Sequence, residues 1–306
     1  MALFGPPDID KMKATRDVNG LIKALKYRRD SSVRKQAARA LGGLKDARGI
    51  QPLIAAFKDA DIRWEAASAL EQLSDARAIE PLVNALRDKE ADVRQCAARV
   101  LGEIKDAAIL EPLVAATRDE DLSVQTCAVE SLGKLGAYPT LRARVMGPLI
   151  SLLRNKQALV AEAAAEALGQ VKDPQAVTAL VTALRSGHPG ARGAVAAALG
   201  QIGDARAVEP LLAALMKKEG GLLPEAATAL GRIGDPRAAA PLLAAFEGTY
   251  HCQEVGDALA DLYKAGTLDE DLQRRILSHK GDEISAHHDE SPSCGHTDTP
   301  AVIFTF

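Results

Sequence analysis

The chain has 306 residues, of which 47% are apolar but only 3% aromatic, so its core must consist mainly of Ala, Leu, Val and Ile. The 41 Asp and Glu residues nearly balance 38 Lys and Arg residues, which disfavours nucleic acid as a partner because such proteins are usually strongly basic. No apolar run approaches the roughly 20 residues of a membrane span. The N-terminus lacks a secretory signal, and four cysteines without one favour a reducing compartment, so we expect a cytoplasmic protein.

A repeated pattern follows residues 1–14, which we interpret as an N-terminal leader. From residue 15 to 277 an acidic turn, a Leu-rich segment, a polar turn and an Ala-rich segment recur about every 31 residues. The Leu-rich segments open at Gly20, Pro52, Pro81, Pro112, Pro148, Ala179, Pro210 and Pro241. The Ala-rich segments close at Gly42, Glu71, Gly102, Gly133, Gly169, Gly200, Gly231 and Ala260. Such a period is typical of a repeat protein.

Each repeat is predicted to form a hairpin of two helices. Proline is tolerated in the first helical turn, and Leu53, Ile54 and Phe57 follow Pro52 at helical spacing. The second helix is predicted to be capped at its start by Ser32, Asp61, Asp92 or Ser123. One hairpin cannot bury its apolar face alone, so we predict an all-α solenoid of about eight stacked hairpins.

The segment G-D-A-R-A-V-E-P-L-L-A-A-L at residues 203–215 resembles the short bacterial HEAT repeat, also called the phycobilisome-lyase-like HEAT repeat. The resemblance extends over about residues 15–262. It implies a right-handed superhelix whose second helices line the concave face, and a non-catalytic scaffold or adaptor that binds another protein there. Because the family includes bilin lyase subunits, a bilin-lyase-like or phycobiliprotein-handling subunit is the alternative. HEAT-repeat di-iron hydroxylases are set aside because no histidine precedes His188.

The candidate partner-binding residues lie in the two registers of the second helices that vary between repeats. They are Lys35, Arg39, Trp64, Gln95, Arg99, Glu130 and Glu162. The first half of this face is basic and aromatic, and it turns acidic at repeats four and five. Trp64 is the only tryptophan, and a half-exposed Trp beside Arg is typical of an interface anchor. The alternative is a ring that lies passively over a neighbouring repeat.

Charged residues that recur in one register receive a structural interpretation. The aspartates are expected to cap the following turn or helix, and the arginines to bond to the neighbouring repeat. These are Asp46, Asp75, Asp106, Asp173, Asp204 and Asp235, and Arg34, Arg63, Arg94 and Arg192. Cys96 and Cys127 share a register in adjacent repeats and are predicted to be small buried residues.

Two further features depart from the regular pattern. Residues 137–147 add five residues between repeats four and five, which predicts a longer loop or a longer helix. Residues 1–58 carry 13 Lys and Arg against 5 Asp, which is typical of a solvated end cap or of a site for an acidic partner.

Residues 278–306 form a tail outside the repeats. Its imidazole, thiol and carboxylate groups suit zinc or a similar divalent metal, although their spacing matches no firm zinc motif. The candidate ligands are His287, His288, Asp289, Cys294, His296 and Asp298. The alternative is a disordered polar extension, and no other cofactor is expected. A metal-binding protein is therefore a third functional hypothesis. The repeat sequence does not indicate an oligomeric state.

Overall fold

The computed structural model describes residues 6–216, 222–247, 253–266, 268 and 270–275. Throughout these residues the regular structure is helical, without a strand. A short helix α1 (Ile9–Ala14), within the predicted leader, packs against the first repeat. Eight helical hairpins follow, so the predicted all-α repeat architecture is confirmed.

The first helices of the hairpins are α2 (Val18–Ala24), α4 (Ile50–Ala55), α6 (Ile79–Ala85), α8 (Leu110–Ala116), α10 (Pro139–Leu152), α12 (Val177–Ser186), α14 (Val208–Met216) and α16 (Ala239–Glu247). The second helices are α3 (Ser31–Leu44), α5 (Arg63–Leu73), α7 (Ala91–Leu101), α9 (Leu122–Gly136), α11 (Ala158–Val171), α13 (Arg192–Ile202), α15 (Leu223–Ile233) and α17 (Gln253–Lys264). Helix α10 has 14 residues where α4 has 6, so the extra residues of repeat five lengthen a helix.

The recurrent aspartates organise the connection between most repeats. The carboxylate of each aspartate accepts a hydrogen bond from the backbone N–H two residues later. This bond caps a short 3-10 turn that precedes the first helix of the following repeat. Several second helices end just before the aspartate in a left-handed residue, such as Lys45, Ser74 or Gly203. The predicted capping role of these aspartates is confirmed.

The predicted caps of the second helices are wrong in position. Asp30 and Asp121, two residues before Ser32 and Ser123, accept the backbone N–H bonds at the starts of α3 and α9. Asp61 and Asp92 do not cap a helix, because α5 and α7 begin without a side-chain cap. Instead, these two carboxylates form ion pairs with arginines of the preceding repeat.

The recurrent arginines join successive repeats. The Arg34 guanidinium lies 2.9 Å from Asp59 and 2.8 Å from Asp61, Arg63 pairs with Asp92, and Arg94 contacts Asp119 and Glu120. The three side chains are only 7–11% exposed. Each of these three arginines therefore ties one second helix to the turn or to the first helical residues of the next repeat, as predicted.

The chain divides after Pro148 into two compact units. In the first unit α3, α5, α7 and α9 pack in succession, and in the second α11, α13, α15 and α17 do the same. The closing glycines allow this stacking: a Cβ on Gly42 would lie 2.7 Å from Ala69 Cα, and one on Gly200 would lie 2.7 Å from Ala229 Cα. Within the described ranges, no helix is both long and apolar enough to cross a membrane.

Candidate partner-binding surface

Trp64 lies in the first turn of α5 and points away from the core. Ala66, Ala69 and Leu70 of the same helix are almost completely buried, so the helical period places residue 64 on the opposite side. Trp64 as a whole is 47% exposed. The sequence correctly predicted a half-exposed tryptophan, while its role in binding stays a prediction.

Arg99 of α7 holds the indole from the neighbouring repeat. The guanidinium carbon lies 5.1 Å from the centroid of the Trp64 ring, within the range of a cation–π contact. Nη1 of the same arginine lies 3.3 Å from Oε1 of Glu71. Aromatic ring, guanidinium and carboxylate thus form one cluster across the junction of α5 and α7.

Glu71 is a member of the cluster that was not predicted. It occupies the slot where six other repeats have glycine, at the face where second helices approach most closely. Burial raises the pKa of the Glu71 carboxyl, while nearby Arg99 opposes this effect. The sequence does contain an indication of this role. A charged residue at a position that is glycine in six other repeats is not explained by close packing of the helices.

Lys35 and Arg39 of α3 extend the surface next to the cluster. Both cations lie 3.5 Å from Oε1 of Glu65, which follows Trp64 in the chain. Their side chains remain 40% and 68% exposed. We call the resulting patch the Trp64 surface; it consists of Lys35, Arg39, Trp64, Glu65, Glu71 and Arg99.

The three remaining candidates lie apart from these contacts. Gln95 of α7 is half-buried, and its carbonyl oxygen lies 3.5 Å from Sγ of Cys127. Glu130 is exposed on α9, and Glu162 is half-buried on α11 in the second unit. Across the described chain, no side-chain hydrogen bond or ion pair joins these three residues to the Trp64 surface.

The two described cysteines are packing residues rather than exposed nucleophiles. Cys96 is fully buried and Cys127 is 6% exposed, and both are free thiols. Burial raises the pKa of Cys96 to about 11 and that of Cys127 to about 12. Because the thiolate is the reactive form, both side chains are unreactive at neutral pH.

The predicted metal ligands His287, His288, Asp289, Cys294, His296 and Asp298 lie outside the described residues. Within the described ranges, no group of three or more His, Cys, Asp or Glu side chains is arranged to hold a metal ion. The metal hypothesis therefore concerns the tail alone and stays a prediction.

The sequence profile of HEAT repeats matches residues 18–95, 79–147, 146–223 and 192–260. The chain belongs to the HEAT-repeat family. These matches span both units and most of the predicted repeat region. No curated protein sequence matches the chain.

Several solved structures are similar to this HEAT-repeat chain. YibA of Escherichia coli is 21% identical, with a TM-score of 0.54 over 84% of this chain and 95% of YibA. Kap121p is 14% identical, with a TM-score of 0.66 over 92% of this chain but only 37% of Kap121p; a second Kap121p structure contains bound Ste12p. At these identities the likeness concerns the fold alone.

The complex of CpcE and CpcF, from the phycocyanin lyase of Nostoc sp. PCC7120, is a further similar structure. It is 24% identical to this chain, with a TM-score of 0.45, and the match covers 50% of this chain and 99% of the other.

Proposed function

We propose that this HEAT-repeat protein is a non-catalytic scaffold that binds a partner protein through the Trp64 surface. The observation that carries the proposal is that Trp64 is 47% exposed, yet its ring is in cation–π contact with Arg99 at 5.1 Å. Tryptophan and arginine are the residues most enriched among those that dominate binding energy at interfaces. The fold supports the same conclusion, because stacked repeats present an extended surface to other macromolecules.

The contacts around Trp64 suit an anchor that is arranged before the partner arrives. Arg99 contacts the ring from the next repeat, and Glu71 in turn holds the guanidinium. A side chain already confined to its bound position loses less conformational entropy on association. Lys35 and Arg39 remain accessible beside it, so carboxylates of a partner would be attracted to the same region.

A comparison of Trp64→Ala with Met216→Ala tests the proposal. Met216 is another exposed large apolar residue, at the end of first helix α14, so its variant controls for a general loss of apolar surface. Proteins captured from the native cell extract by wild type, and retained by Met216→Ala, are purified and their affinities measured directly. Loss of a tryptophan anchor is expected to weaken binding by about thirtyfold or more.

Intrinsic fluorescence supplies a second readout because Trp64 is the only tryptophan in the chain. Burial of the indole by a bound partner should shift its emission to shorter wavelength and protect it from quenching. Equal affinity of wild type and Trp64→Ala for every purified partner would contradict the proposal, provided that circular dichroism shows both to be folded. A captured pigment-carrying protein that acquires or loses pigment would favour the lyase-like alternative.

A further inference from the structure

A cleft between the first two repeats is separate from the Trp64 surface. It has a volume of about 860 Å³ and lies between α2 and α4, within the range of about 300–1,000 Å³ usual for ligand sites. Leu25, Ala56 and Ile62 form its buried apolar floor, and Ile22 and Pro52 line its half-buried walls. We call it the first cleft; its apolar floor suits a large apolar side chain.

The charged side chains of the first cleft are predominantly basic. Lys26 and Arg28 line it, are exposed, and have no ion-pair partner among the described residues. Arg34 and Asp59 also line it, but they neutralise each other at 2.9 Å. The net unpaired charge at the opening is therefore positive.

The same positive charge continues beyond the opening of the cleft. Lys23 of α2 and Arg29 of the following turn are exposed, and neither forms an ion pair in the part of the chain that the structure describes. A ligand that matches this distribution carries several carboxylates spread along its length. An acidic peptide segment meets this requirement better than a compact small molecule does.

A second cleft at the equivalent place provides an internal comparison. It lies between α6 and α8, has a volume of about 410 Å³, and is lined by Arg87, Glu111 and Asp119 among others. The residue before the recurrent proline of the first helix is Gln51 in the first cleft and Glu111 in the second. The two clefts have a similar location because the repeat recurs. Of the two, only the first cleft has an excess of positive charge.

We infer that the first cleft binds an acidic peptide segment of a partner protein, with a large apolar side chain on the cleft floor and flanking Asp or Glu near Lys26 and Arg28. The charge complementarity of the opening and the apolar floor together carry this assignment. The first cleft shares no residue with the Trp64 surface, so the inference does not depend on the proposed function.

The probe is an immobilised library of short peptides with one Phe or Leu flanked by Asp and Glu. One matched library replaces Asp and Glu by Asn and Gln, and another replaces the apolar residue by Gly. The full chain is expected to bind the acidic apolar library selectively, with an affinity that falls as salt rises. Lys26→Glu with Arg28→Glu should weaken binding by about tenfold or more, since two attractions become repulsions.

Two single variants sharpen the comparison. Gln51→Glu introduces the carboxylate found before the proline in the second cleft and should weaken binding by roughly threefold. Arg87→Glu alters the second cleft and should leave binding unchanged. Both positions are exposed, and circular dichroism checks that each variant is folded.

Several outcomes would overturn the assignment. They include equal binding to the acidic and amide libraries, and equal binding by wild type and the Lys26→Glu, Arg28→Glu variant. Two parallel probes distinguish other occupants. Binding of an RNA oligonucleotide but not of the peptides would replace the peptide by nucleic acid, and tight binding of a peptide comprising residues 278–306 would assign the cleft to this chain's own tail.

Discussion

At the scale of single residues, the glycine that closes each second helix sets the distance between repeats. Gly42→Ala places a methyl group 2.7 Å from Ala69 Cα, and backbone atoms cannot yield as the end of a side chain can. We expect this variant to lose about 1–3 kcal/mol of unfolding free energy, the usual cost of overpacking. Urea unfolding followed by circular dichroism measures the change.

The adjacent Gly43 is a matched control in the same helix. A Cβ there meets no atom within 4 Å, so Gly43→Ala should be neutral or should stabilise the helix by up to about 1 kcal/mol. Equal destabilisation by the two substitutions would show that helix propensity, and not contact with the next repeat, explains the glycine.

The protonation of Asp46 is controlled by contacts within its own turn. Hydrogen bonds from the side chain and backbone of Arg48 lower the pKa of the Asp46 carboxyl to about 2. Because the pKa in the folded state is depressed, the stabilisation is present above the ordinary value of 3.8 and is lost as the pH falls through about 2. Arg48→Met is expected to raise the pKa of Asp46 towards 3.8.

Carboxyl-carbon NMR titration checks this shift directly. In the Arg48→Met variant the contribution of Asp46 to stability should be absent, so the free energy of unfolding should fall less between pH 3.8 and about 2 than in wild type. Arg237→Met, which removes the equivalent arginine beside Asp235 in the second unit, should leave the titration of Asp46 unchanged. An unaltered Asp46 midpoint in Arg48→Met would contradict the assigned cause.

At the scale of elements, the buried arginines hold the second helices to the turns of the next repeats. Arg94 is 7% exposed; it contacts both Asp119 oxygens at 2.8 Å and donates to the carbonyl of Asp88 at 2.9 Å. Arg94→Met leaves the largely buried Asp119 carboxylate without its cation, which should cost about 3–5 kcal/mol. Equilibrium unfolding in urea measures this loss.

Arg77 provides the contrasting case. It also forms a bidentate pair, with Asp75, but it is 72% exposed and spans only two residues of one turn. Arg77→Met should therefore cost less than about 1 kcal/mol. In a double variant, Asp119→Asn should restore part of the stability lost in Arg94→Met; a loss no larger than that of Arg77→Met would mean that Arg94 is not an inter-repeat tie.

The sequence predicts the helical elements well because the repeat presents the same apolar pattern eight times. It places the caps of α3 and α9 two residues too late, because Ser and Asp occur together in these turns and only backbone geometry distinguishes them. Trp64 and Arg99 were recognised as candidates from their registers. The contact of Arg99 with Glu71 was not predicted, because the offset between successive second helices decides which side chains meet.

At the scale of the whole molecule, stability should be distributed repeat by repeat. In both units each second helix packs against the next second helix in the chain, so a local defect loosens its neighbours first. Gly42→Ala should raise amide hydrogen exchange in α3 and α5 by the largest factor, with a smaller rise in α7. Mass spectrometry of peptides after exchange resolves these helices separately.

The second unit supplies the control for this pattern. Exchange in α13 and α15 should be unchanged by Gly42→Ala, whereas Gly200→Ala, with its Cβ 2.7 Å from Ala229 Cα, should raise it there and spare α3. A uniform rise across the chain in either variant would mean that the repeats unfold as one cooperative body. Local loosening would instead allow the Trp64 surface and the first cleft to be altered by partners without loss of structure in the second unit.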